Sequence, residues 1–139
     1  MSRQVAPPSG MPPPEIVTTP HGRDLDLAAL AREACVAYGS EFPDERERYG
    51  LAGAEWCRHD CQHLVNWAVL SLTVGLDYGG QLAWLARVLE ARSFPLERLA
   101  RCLELLAEVV RDSLSDEPEI AGRLQSGAAF VASRPTFLD

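Results

Sequence analysis

The chain has 139 residues, 47% of them apolar, and a formal net charge of −7. A single domain of this length buries roughly two-thirds of its unfolded surface, so it needs no staple or metal to fold, and wholesale disorder is excluded. The acidic balance argues against a nucleic-acid partner, because phosphate contacts require a clustered positive field.

Residues 1–22 hold six of the ten prolines. Proline fixes φ and removes a backbone donor, and little apolar surface is present to offset ordering entropy. The segment is therefore read as a disordered Pro-rich tail ahead of a helical-bundle domain over 23–139. It lacks the basic-then-apolar profile of a signal peptide, and no run reaches the ~18 apolar residues of a membrane span. A cytoplasmic protein without a membrane partner is expected. All thirteen basic residues are arginine, a bias associated with GC-rich bacterial coding.

From Asp24 the period changes. Leu27, Leu30, Ala31, Ala34, Cys35 and Tyr38 recur at helical spacing, one stripe of an amphipathic helix. Gly39 and Pro43 interrupt it. A second helix is predicted from Leu51 to Thr73, closed by the glycines of "GLDYGG", and a third from Gln81 to Ser93. Pro95 suits the first turn of a fourth, whose Leu96, Leu99, Leu103, Leu106 and Val110 keep the 3-4 rhythm of a bundle seam. Asp116 and Glu119 read as a capping pair for a fifth helix ending near Ser133. No segment sustains period-2 alternation. The expected fold is all-α, a bundle of about five helices.

"WCRHDCQHLVNW", residues 56–67, concentrates the reactive side chains. On a helix, Cys57, Cys61, Leu64, Ala68 and Leu72 form a core stripe. Arg58, Gln62, Asn66 and Thr73 lie opposite, and Trp56, His63 and Trp67 line a flank edged by His59 and Asp60. Cys57 and His59 point about 200° apart, so the alternating Cys57, His59, Cys61 and His63 cannot surround one ion. No metal site is expected, and the four cysteines are read as reduced, inert thiols.

"RHDCQH" resembles the R-[N/D/H]-x3-H motif of HEPN-type ribonucleases, an all-α family often acting as toxins. That likeness implies Arg58 and His63 as an RNA-cleaving pair. A wider resemblance covers residues 45–112. Tyr49, Gly50, Gly53, Cys57, Asp60, His63, Leu64, Trp84, Leu85, Leu89, Arg92, Pro95 and Leu99 match the pattern of the helical-bundle module that accompanies cobalamin-binding domains in bacterial regulators and corrinoid proteins. It implies a sensor or partner-binding module. The chain has neither the Asp-x-His-x-x-Gly corrinoid ligand motif nor a βαβ pattern, so the resemblance implies a stand-alone module without the cofactor domain, and no cofactor is expected.

The expectation is a non-enzymatic regulatory, interaction or sensor-type module acting through a protein partner, compatible with a homodimer. Its contact surface is expected at Trp56, Asp60, His63 and Trp67, with Trp84 on the third helix. The alternatives are the HEPN-like ribonuclease and a haem or cobalamin sensor held by His63.

Overall fold

Asp26 opens the first helix: its side chain accepts a hydrogen bond from the Ala29 N–H at 3.0 Å, satisfying one of the orphan donors of the first turn. The computed structural model describes residues 12–138. Its elements are β1 (Ile16–Thr18), β2 (Asp24–Asp26), α1 (Leu27–Glu41), α2 (Glu45–Thr73), α3 (Tyr78–Ala91), α4 (Leu96–Ser113) and α5 (Pro118–Ala132). The expected five-helix, all-α bundle is the architecture found. The helix bounds shift by a few residues. α1 runs through Gly39 to Glu41, and α3 begins at Tyr78 because Asp77 accepts from the Gly80 N–H at 3.1 Å.

Two expectations are corrected. A short antiparallel hairpin precedes the bundle, pairing Ile16 with Asp26, Val17 with Leu25 and Thr18 with Asp24. Residues 1–11 of the expected tail lie outside the described residues, but 12–22 are built into the fold. Leu25 is buried and Val17 half-buried on one face of the hairpin, and Gly22 turns it with φ of +85°, a left-handed angle that glycine adopts freely. The second correction concerns Asp116 and Glu119. Neither caps α5, whose N-cap is Glu117 with Pro118 following. These acids instead hold the hairpin turn. The fully buried Glu117 carboxylate accepts from the His21 backbone N–H at 3.1 Å and from Arg23 Nε at 3.4 Å, Arg23 also pairs with Asp116, and His21 meets Glu119 at 2.9 Å.

The core sits where α3, α4 and α5 meet α1 and α2. Leu82, Leu85, Leu103, Leu106, Ile120 and Leu124 are fully buried, and each contributes about 1.5–3 kcal/mol. α3 and α5 approach closely at Gly127, where a Cβ would come within 2.9 Å of Leu82 and Tyr78 side-chain atoms. The chain end docks as well: Glu90 accepts from the Phe137 N–H at 2.7 Å, and Phe137 is buried. No helix among the described residues is long and apolar enough to cross a membrane.

α2 contains the one break that shapes the molecule. Gly50 has φ 63° and ψ −155°, a conformation essentially closed to other residues. The regular part of α2 therefore starts near Leu51, as the sequence predicts, and residues 45–49 form a separate turn set at an angle to it.

Candidate functional site

The Gly50 break leaves a cavity of about 540 Å³ between the α1–α2 corner and the N-terminal half of α4. Tyr38 and Phe42 come from the end of α1, Tyr49 and Trp56 flank the break, and Phe94 comes from the α3–α4 join. Tyr49 lies 6.4 Å from the Trp56 ring and 6.0 Å from Phe94, centroid to centroid, within the range of favourable aromatic pairs. Val36 and Leu51 also line the cavity, and they are 72% and 80% exposed.

Arginines of α4 fix the corner. Arg98 pairs with Asp44 at 3.0 Å and Glu45 at 3.4 Å and lies 4.4 Å over the Phe42 ring, while Arg101 grips Glu41 through two hydrogen bonds of 2.7 and 2.9 Å. Bidentate guanidinium–carboxylate contacts specify geometry as well as adding energy. Glu45 in turn accepts from the Tyr38 hydroxyl, and burial together with that carboxylate pushes the phenol well above its usual range.

Thiols line the inner side. Cys35 from α1, Cys57 from α2 and Cys102 from α4 face the cavity, and Cys61 lies buried among them. Cys61 Sγ is 3.8 Å from Cys35, 4.0 Å from Cys57 and 3.3 Å from Cys102. All four are free. Hydrogen bonding from neighbouring thiols, Cys102 foremost, holds Cys57 below the ordinary thiol range. The thiols of Cys61 and Cys102 are pushed up, chiefly by hydrogen bonding within the same cluster and then by burial. The four thiols, expected to be reduced, are free and gathered from three helices into one cluster, an arrangement in which their titrations are linked.

Asp60 borders the same cavity. Its Oδ1 is buried with no hydrogen-bond partner among the described residues. Burial pushes the carboxyl up to about 7, so near neutral pH it can serve as a hydrogen-bond donor.

The expected contact surface divides along α2. Trp56 and Asp60 reach the cavity, whereas His63 and Trp67 are not among its lining residues. His63 is buried, its ring 5.4 Å from Trp67 and 4.9 Å from His59. Burial and the neighbouring His63 lower the His59 pKa to about 4, so His59 is neutral at physiological pH. Trp84 lies apart on α3, 39% exposed. Arg58 and His63, the expected ribonuclease pair, line no common cavity among the described residues. Arg58 is exposed and borders a separate shallow groove with His59 and Gln62, which His63 does not line.

The buried arc of α2 is also turned from the expected one. Cys61, His63, Leu64, Val65, Ala68 and Val69 are buried, whereas Cys57 and Leu72 are half-buried. The hairpin side supplies the reason: Gln62, expected in solvent, donates from Nε2 to the Pro14 carbonyl at 3.0 Å. Sequence reasoning missed Cys35 and Cys102 as partners of the α2 cysteines, and Tyr38, Tyr49 and Phe94 as cavity walls. The Tyr49-Gly50 pair, with Trp56 and Asp60 of the expected contact surface, marked the place.

No protein-family model, curated protein or solved structure matches the chain.

Proposed function

We propose that the protein is a sensor-type regulatory module that takes a small, largely apolar ligand into the α1–α2 cavity and acts through a protein partner. The observation that carries this reading is the cavity itself. Its 540 Å³ falls in the range of small-molecule sites, and it combines aromatic walls with a few convergent polar groups, the usual composition of such sites. Asp60 offers a hydrogen-bonding group that the fold leaves unused. The exposed Val36 and Leu51 at its wall would be covered when ligand or partner is bound, which links occupancy to the outer surface.

No reaction is assigned to the site. The ribonuclease alternative draws no support from an exposed Arg58 beside a shallow groove that the buried His63 does not line. A haem or cobalamin held by His63 would need a surface other than this cavity.

Titration with Nile red, a neutral planar dye that brightens in apolar surroundings, tests the reading. The folded protein should bind one dye, and Trp56→Ala should weaken binding about tenfold, the ~1.4 kcal/mol of one lost aromatic contact. Absence of dye binding, or identical affinity in Trp56→Ala with helix content retained, would overturn it.

A further inference from the structure

We propose that Cys35, Cys57 and Cys61 form a site for one thiophilic d10 metal ion, with Cu(I) preferred, at the inner wall of the cavity. The inference stands apart from the ligand reading, since it rests on sulfur geometry.

The three Sγ atoms lie within 4.8 Å of one another, and the two separations to Cys61 are 3.8 and 4.0 Å. A metal bonded to thiolates at about 2.3 Å keeps its sulfurs about 4.0 Å apart in a trigonal plane and about 3.8 Å apart in a tetrahedron. The thiols therefore already stand at ligand spacing from Cys61. They are held there by backbone, because Cys57 and Cys61 are one turn apart on α2 and Cys35 is fixed on α1, which packs against it. Preorganised ligands lose little freedom when the ion enters.

Donor chemistry selects the ion. The set is all sulfur, with no carboxylate or imidazole among the three, and soft thiolates favour Cu(I) and Zn(II) over harder ions. Structural zinc closes on four ligands. The fourth cysteine, Cys102, stands 3.3 Å from Cys61, closer than two sulfurs sit around one such ion, and it falls outside the group of three. A three-sulfur set fits Cu(I). Entry is open, since Cys35 and Cys57 line the cavity while Cys61 lies behind them. Binding exchanges thiol protons for the metal, with no change of oxidation state at copper or sulfur.

The experiment is an anaerobic titration of the reduced full-length protein with Cu(I), in competition with bicinchoninate. One Cu(I) per chain should be taken from the chelator, with thiolate-to-copper absorption appearing in the near ultraviolet. Cys57→Ser and Cys35→Ser, at half-buried positions, should each abolish this stoichiometric uptake while circular dichroism shows the helices intact. Cys102→Ser should keep it. Failure to take Cu(I) from the chelator, uptake that persists in Cys57→Ser, or equal loss in Cys102→Ser would overturn the assignment. So would stoichiometric retention of Zn(II) by a protein that does not take up Cu(I). Dye is absent throughout, so failure here leaves the cavity reading standing, and failure of dye binding leaves this one standing.

Discussion

The two halves of α4 face different interiors. Toward its C-terminus, Leu106 and Val110 are fully buried in a core shared with Ile120 and Leu124 of α5, and the hairpin closes that end through Glu117. Toward its N-terminus, Leu99 and Cys102 border the cavity, and Arg98 and Arg101 reach out to hold the α1–α2 corner. One helix with one heptad-like rhythm thus serves a filled end and a hollow end. Apolar spacing decides that a face is buried; what it is buried against depends on the backbone of other segments.

Truncation of a leucine measures this difference most directly. Leu106→Ala removes contacts on all sides and should cost about 2–5 kcal/mol. Leu99→Ala deletes a side chain that already adjoins empty volume, so fewer contacts are forfeited and the cost should fall at or below the low end of that range, about 2 kcal/mol. Urea unfolding of the two variants gives both values. Equal losses would mean that the hollow end is as tightly filled as the other.

Gly50→Ala targets the origin of the cavity. A Cβ there meets nothing within 4 Å, so any loss comes from the backbone angles alone. Holding alanine at φ 63° and ψ −155° should cost about 1–3 kcal/mol. If the chain relieves the strain by straightening α2, Nile red binding should fall with the melting temperature. A variant as stable as the parent that binds dye equally well would show that the break does not depend on glycine.

This contrast also explains what was legible in the sequence. The α1 stripe and the α4 rhythm were readable because a helix buries a fixed face whatever its neighbour, and Leu27, Leu30, Leu103 and Leu106 are all buried as their spacing requires. The thiol cluster was not readable. Cys35 and Cys102 lie 26 and 41 residues from Cys61, and periodicity within one helix carries no information on which turn of another helix it meets. Considered alone, α2 spreads its cysteines and histidines around the axis, and that argument against the alternating Cys-His set says nothing of sulfur arriving from α1. The hairpin escaped notice because three-residue strands are too short for alternation to register. Its acidic anchors were misread for a related reason: an acid near a helix start suits a cap and an ion pair equally well.

The smallest effect lies at the filled end, in the His21–Glu119 contact that helps pin the hairpin to α5. His21 Nε2 and Glu119 Oε1 are 2.9 Å apart and both side chains are largely exposed. The hydrogen bond to Glu119 raises the imidazole pKa above its ordinary 6.5, with the Glu119, Glu117 and Asp116 charges adding to it. For a histidine whose folded-state pKa is raised, the stabilisation is fully present below the unfolded value and is lost as pH rises through the folded one. The hairpin should therefore hold slightly better below about pH 6.5 than above the raised value, an effect that salt screening reduces. An NMR titration of the His21 ring should show the upward shift, and Glu119→Gln should remove most of it while leaving the His21 backbone N–H bonded to Glu117. A His21 pKa at or below 6.5 in the intact protein would mean that the turn is not held against α5 in solution, and the filled end would then begin at α1 rather than at the hairpin.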